Sequence, residues 1–433
     1  MGRVYTKIAL LDHLGYGNLG DEATLDAVVH NIKCRWPHAV MIGLSLDPHD
    51  TQKRHGIASY AIRRDCRLPA THDPDNTKPS LRIRLKAVLS KYPVLLLVLR
   101  FIKTVIWTPW VLFQELLFLV ESFRITRSLD LLIICGGGQL RDSWRGPWKF
   151  PYTLFKWVLL AKLLGVHCYF INVGAGPLET RLGRFLIMRA LRMAKYISFR
   201  DEQSQLLIQR LGFKGKSHAL ADSVYGLPVP VHANDSGHRD SIVGISPMRV
   251  PWETCDDYSH HLRHLAQFGV CLARSHYRLQ LFGTDIWYDS QAIADLYIAI
   301  KETLDPPALS RITCPPIDGV KELLSQLSSM EYIVTCRFHG VVFAHIMNIP
   351  VLAISHHPKV ATLMNDIGLS DYCLDTRTFD FDQLNETFDR LVNNAAEVKS
   401  RMAGGAARYQ RELALQFDSL FSRELDWSKP HPL

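Results

Sequence analysis

Short apolar runs alternate with helical patterns along both halves of this 433-residue chain, a rhythm few architectures tolerate. The runs predict strands over 7–11, 40–46, 131–135, 168–173 and 196–199, and again over 242–246, 279–282, 332–336 and 351–355. Most are apolar almost throughout, as in strands covered on both faces. Helical patterns lie between them, for example over 22–32, 182–194 and 341–347. Repeated β–α units predict parallel sheets with right-handed crossovers. The turn-rich stretch 227–241, LPVPVHANDSGHRDS, reads as the linker between two Rossmann-like domains facing a cleft. The expected division is 1–228, 240–378, and a C-terminal helix and tail over 379–433, with one long helix over 381–420.

One segment breaks the rhythm. Residues 67–128 read as an insert in the first domain, with a basic, strongly apolar core over 81–127 that holds eight Lys or Arg, two Glu, Trp107 and Trp110. Arg100 and Lys103 sit where a membrane span would have its centre, and charge there is costly. Pro93 and Pro109 are expected to divide the segment into shorter helices. The composition fits interfacial helices lying on a membrane surface, with a buried hairpin or a protein interface as the bland alternative. No run of about 18 uncharged apolar residues occurs, which excludes a many-pass membrane protein.

Lys plus Arg number 50 against 42 Asp plus Glu, a net charge of +8 that favours an acidic partner. Nucleic acid is not expected, because the basic surplus lies among apolar residues rather than among stacking aromatics. The cysteines are scattered, with no CxxC pair, which favours a reducing compartment and excludes a zinc ribbon. The N-terminal apolar run stops at Asp12 without a signal-peptide pattern, so a cytoplasmic protein is expected. His260, His261 and His264 lack further ligands at metal-site spacing, and no metal is expected.

The motifs fall at strand ends. Gly15-Tyr16-Gly17-Asn18-Leu19-Gly20-Asp21-Glu22 follows the first strand and opens a helix. The pattern fits GxGxxG, yet Asp21 and Glu22 in the first turn oppose a pyrophosphate, and a plainly capped helix start is the competing reading. Cys135-Gly136-Gly137-Gly138-Gln139-Leu140-Arg141-Asp142 ends the third predicted strand, where glycines let a ligand approach backbone and Asp142 offers an acceptor for a sugar hydroxyl. Gly174-Ala175-Gly176-Pro177 precedes a helix striped with arginines, a solvated face or a contact for lipid phosphate. Ser198-Phe199-Arg200-Asp201 supplies an anion fork, and Asp222 is another loop acid. Arg337-Phe338-His339-Gly340, with His356 and Lys359 at the next strand end, joins an anion site to a group that transfers protons near neutral pH.

In order, GNLGDE (17–22), CGGGQLRD (135–142), GAGP (174–177), SFRD (198–201), Asp222, and RFHG (337–340) with Lys359 resemble the polysaccharide pyruvyl transferase family. The family's usual Arg-Leu-His is Arg337-Phe338-His339 here. The resemblance implies an α/β fold of two Rossmann-like domains like that of GT-B glycosyltransferases. It implies phosphoenolpyruvate as co-substrate, no cofactor, and a saccharide acceptor, often lipid-linked, that receives a pyruvate ketal in cell-surface polysaccharide biosynthesis. His339 and Arg200 are then the expected catalytic residues. Arg337, Lys359, His356 and Gly340 belong to the donor side, and Asn18, Asp21, Gly137, Gly138, Asp142 and Asp222 to the acceptor side. A lipid-linked acceptor would place the enzyme peripherally on the inner face of the cell membrane through 81–127. Competing readings are a GT-B glycosyltransferase using a nucleotide sugar, and a non-catalytic dinucleotide-binding or membrane scaffold protein.

Overall fold

The computed structural model describes residues 6–12, 14–15, 17–64, 66, 93–143, 146–229, 241–249, 255–275 and 277–421. The expectations for 67–92 lie outside them. The first domain carries β1 (Lys7–Leu11), β2 (Val40–Ser45), β3 (Ala58–Ala61), β4 (Leu131–Cys135), β5 (His167–Val173), β6 (Tyr196–Phe199) and β7 (His218–Ala219). All pair in parallel, in the order β3-β2-β1-β4-β5-β6-β7. The second domain repeats the scheme with β8 (Ile242–Ser246), β9 (Arg278–Leu281), β10 (Ile312–Thr313), β11 (Tyr332–Thr335), β12 (Val351–Ser355) and β13 (Cys373–Asp375), ordered β10-β9-β8-β11-β12-β13. Each sheet therefore reverses direction between its first strand and β4 or β11. Ligands bind outside strand carboxyl ends at such switch points. Those ends carry the 12–20 loop, the 136–138 glycines and Arg337–Gly340. The architecture is the GT-B-like pair of α/β domains expected.

The crossover helices of the first domain are α1 (Leu19–Arg35), α2 (Pro48–His55), α3 (Pro93–Arg127), α4 (Phe150–Leu163), α5 (Arg181–Met193) and α6 (Glu202–Arg210). Those of the second are α7 (Cys255–Arg274), α8 (Tyr288–Lys301), α9 (Pro306–Leu309), α10 (Val320–Leu327), α11 (Phe338–Ile346), α12 (Pro358–Asp366) and α13 (Phe381–Asn393). Continuously apolar strands such as LLIIC of β4 are wholly buried, because helices cover both faces of the sheet. On one face Trp157 of α4 packs within Ile134, Phe170 and Leu191, and on the other α1 packs toward the second domain.

Three expectations change. The insert helix is not divided: Pro93 opens α3, where its missing N–H costs nothing, and Pro109 lies inside 35 continuous helical residues. The expected 381–420 helix is two, separated at Asn394, and the second, α14 (Ala395–Phe421), returns to the first domain. There Gln416 bonds Asn172 and Ser198, and Arg35 meets Asp418 at 2.7 Å. The helix expected from Val341 begins at Phe338, so His339 stands in the first turn of α11.

Candidate active site

The first domain presents α1 to the cleft with Asn18 as N-cap, its side chain accepting from the Gly20 N–H at 3.1 Å. The same loop bridges to the second domain: Leu19 N–H donates to the Thr284 carbonyl at 2.8 Å, and Ile286 N–H to the Gly17 carbonyl at 2.8 Å. Asn18, expected on the acceptor side, thus uses its side-chain oxygen to cap α1. A β-carbon on Gly20 would fall 1.9 Å from His339 Nδ1. The third glycine of the GxGxxG pattern makes room for an imidazole from the other domain.

His339 is buried, and its Nε2 has no hydrogen-bond partner among the described residues. That nitrogen lies 3.9 Å from Asp222 Oδ2, also unpartnered, while Asp222 Oδ1 accepts from Val224 N–H and caps a single turn over Ser223–Gly226. Arg200 Nη1 approaches the same Oδ2 at 3.6 Å. Asp222, expected on the acceptor side, stands beside Arg200 and His339. Burial pushes the His339 imidazole down to about 4, and Arg200 and Lys359 add to this against the pull of Asp222 and Asp21. At neutral pH this imidazole is an uncharged acceptor.

Lys359 enters from the first turn of α12 and is pushed down to about 7, by burial first and then by Arg200, Arg141 and Arg337. Its ammonium and the Arg200 guanidinium both lie over the Phe338 ring, at 5.3 Å and 5.1 Å from the centroid. Arg200 fits only because residue 174 is glycine: a β-carbon there would sit 2.6 Å from Arg200 Nε. Arg200, Asp222, Phe338 and Lys359 line a cavity of about 550 Å³, walled on its far side by Arg408 and Tyr409 of α14.

The remaining expected residues divide. Arg337 couples electrostatically to Lys359, but its guanidinium is held by Asp289 of α8, Nε donating at 2.8 Å and Nη2 pairing with the same carboxylate. His356 shares a bond between Nδ1 and the Cys336 carbonyl at 3.0 Å, and burial, then Lys359 and Arg337, push it down to about 3. His356, expected on the donor side, is therefore a neutral ring at neutral pH. Gly340 serves packing, since a β-carbon would fall 2.2 Å from Thr335 Oγ1 of β11. Gly137 and Gly138 lie at the end of β4, Gly137 with φ +61° and its carbonyl accepting from Gly174 N–H at 2.7 Å. Asp142 is spent on the chain itself: it accepts from the Glu179 and Thr180 amides at 2.8 Å and from the Thr180 hydroxyl. Those bonds outweigh its burial and hold its carboxyl below the usual range. Asp21 is buried close enough to act on His339, Lys359 and Arg141.

Sequence reasoning passed over three contributors. Arg141, inside the quoted CGGGQLRD motif, adds a further cation facing Lys359 and Arg200. Phe338 is the platform beneath two cations, visible only as a Leu-to-Phe swap. Asp289 carried no local signal. Among the described residues no cluster able to hold a metal ion is present.

The family model for polysaccharide pyruvyl transferase matches residues 18–358, from Asn18 of the first motif to the residue before Lys359. No curated protein matches. Among solved structures the chain is similar to S. aureus MnaA solved with UDP, at 11% identity and a TM-score of 0.55, covering 95% of this chain and 94% of that one. It is similar to the UDP-GlcNAc 2-epimerase of Methanocaldococcus jannaschii, at 9% and 0.52, covering 89% and 92%. A Neisseria meningitidis UDP-GlcNAc 2-epimerase bound to UDP-GlcNAc gives 11% and 0.50, covering 95% and 100%. At such identities these likenesses speak for the fold alone.

Proposed function

Since the chain belongs to the polysaccharide pyruvyl transferase family, we propose that it moves the enolpyruvyl group of phosphoenolpyruvate onto a saccharide, closing a pyruvate ketal across two hydroxyls and releasing phosphate. The carrying observation is that Arg200, Lys359 and Asp222 line one cavity, with the unpartnered Nε2 of His339 3.9 Å from the Asp222 carboxylate and Arg141 acting electrostatically on Lys359. Phosphoenolpyruvate is a small polyanion, and guanidinium forks suit both its carboxylate and its phosphate.

The protonation states support a division of labour. Lys359, near 7, supplies the proton that converts the methylene carbon of the enol to a methyl. The second carbon becomes oxocarbenium-like, and the first acceptor hydroxyl attacks it while neutral His339 takes the hydroxyl proton at Nε2. Asp222, 3.9 Å away, then faces an imidazolium and stabilises it. The C–O bond to phosphate breaks, with Arg200 neutralising the departing group. The second hydroxyl adds to the same carbon and gives up its proton. Two hydroxyl protons leave and one enters the methyl group, so phosphate departs with the balance. The acceptor is lipid-linked in this reading, and residues 81–127 bring the enzyme to the surface where it lies. No helix among the described residues is long and apolar enough to cross a membrane, in keeping with peripheral attachment.

Purified protein supplied with phosphoenolpyruvate and extracted glycolipids tests this. The reading expects phosphate release with a product heavier by one pyruvate ketal. Nucleotide release from a sugar nucleotide, without consumption of phosphoenolpyruvate, would refute it and favour a glycosyltransferase.

A further inference from the structure

Three crossover helices lie on one face of the first sheet. The connections β3–α3–β4, β4–α4–β5 and β5–α5–β6 all advance in the same direction across the strand order, so right-handedness puts α3, α4 and α5 in one layer. Neighbours in that layer touch, α3 on α4 and α4 on α5. Its inner side packs Phe118, Trp157 and Ile187 against the sheet.

α3 is apolar outward as well as inward, where Phe118 and Ile125 meet the core. The side chains it buries fully over 109–127 are Ser122 and Thr126, each bonded back to its own helix, and Glu115 turns inward to the Tyr152 hydroxyl at 3.0 Å. Outward stand Trp110, Phe113, Leu116, Leu117, Val120 and Phe123, each 42–58% exposed. A helix in water normally turns the opposite stripe outward. Exposed Trp148, just before α4, and exposed Leu163, at its end, extend the apolar character along the layer.

α5 adds charge to the same layer. Arg181, Arg189 and Arg192 are exposed and have no acidic partner among the described residues. Leu182 and Phe185 stand exposed between them, with Arg189 stacked on Phe185 at 5.3 Å. Arg124 and Arg127 close the exposed end of α3. Large apolar side chains beside unpaired guanidinium groups match the acyl boundary and the phosphates of an anionic bilayer. A second copy of the chain would complement the apolar stripe but would bring the arginines against their own kind.

We infer that the outer face of the α3–α4–α5 layer is a docking surface for anionic lipid, in which α5 reads headgroup charge while α3 enters the interface. This deepens the proposed function, resting on its peripheral-membrane element, and assigns a second helix that the insert alone does not supply. The full-length protein should cosediment with vesicles of phosphatidylcholine plus phosphatidylglycerol, weakly with phosphatidylcholine alone, and less as salt rises. Arg189→Gln/Arg192→Gln should lower partitioning to mixed vesicles about 25-fold, at roughly fivefold for each arginine. Phe113→Ser/Leu117→Ser should abolish it. Both variants should release phosphate from phosphoenolpyruvate with a soluble saccharide as fast as the parent.

Three results would each overturn the inference: equal binding to both vesicle types, no binding to either, or an α5 variant that partitions like the parent. An α3 variant that turns a dimer into a monomer without changing vesicle binding would assign the stripe to a second copy instead. Vesicle binding with no phosphate release in any variant would sink the pyruvyl transfer reading and leave the lipid face standing.

Discussion

Replacing Gly20 by Ala separates this structure from generic helix energetics, because the two predict opposite signs. Gly20 is the second residue of α1 and its φ is not in the left-handed region, so alanine is conformationally allowed. Helix propensity alone then predicts a gain approaching 1 kcal/mol. The added methyl, however, lands 1.9 Å from Nδ1 and 2.1 Å from Cγ of His339. Neither side yields easily: His339 is rooted in the first turn of α11, and the α1 loop is bonded to Thr284 and Ile286. Overpacking of this kind costs about 1–3 kcal/mol, which exceeds the propensity gain. The ring must shift by roughly an ångström, and such displacement of a reacting group costs about 100-fold in rate. Thermal unfolding and steady-state phosphate release should therefore both show a loss in Gly20→Ala, with kcat falling about 100-fold. A variant that melts higher and turns over normally would refute the placement of His339 against α1.

Other perturbations test separate parts of the site. Phe338→Leu restores the family's usual residue but removes the ring under Arg200 and Lys359; KM for phosphoenolpyruvate should rise about fivefold with kcat largely kept, which initial-rate kinetics would show. Loss of the Lys359 proton should lower kcat/KM as pH rises through about 7, and Lys359→Arg should move that alkaline limb upward in a pH–rate profile. His55 is buried between Glu22 and Asp26; burial lowers it, but the two carboxylates outweigh this and raise it to about 9. A raised folded-state value means stabilisation that is full below about 6.5 and lost as pH climbs through about 9, worth on the order of 3 kcal/mol, so stability against urea should fall over that window in the parent and not in His55→Gln.

Where the sequence was legible, it was because an apolar run met a glycine or a charge at a strand end. β4 with its glycines, β6 with Arg200, β11 with Arg337 and β12 with Lys359 all declared themselves that way. The short edge strands β3, β7, β10 and β13 carry too few apolar residues to do so. Side-chain partners were illegible for a different reason, namely distance along the chain. Gly20 makes room for a ring 319 positions later, and Arg337 is held by a carboxylate 48 residues earlier. Asp142 looked like a ligand because its motif ends at a strand, yet the loop before α5 claims both of its oxygens. Pro109 was expected to end a helix, but α3 continues through it.

The account stands on a cation cluster that captures phosphoenolpyruvate beside a neutral imidazole. Titration calorimetry of the full-length protein with phosphoenolpyruvate, and separately with a UDP-sugar, tests this most directly. The account predicts that phosphoenolpyruvate binds, that Arg200→Gln and Lys359→Met each abolish the heat while leaving the protein folded, and that the UDP-sugar gives none. Undiminished phosphoenolpyruvate binding in both variants, or a UDP-sugar that binds and depends on the same two residues, would contradict it.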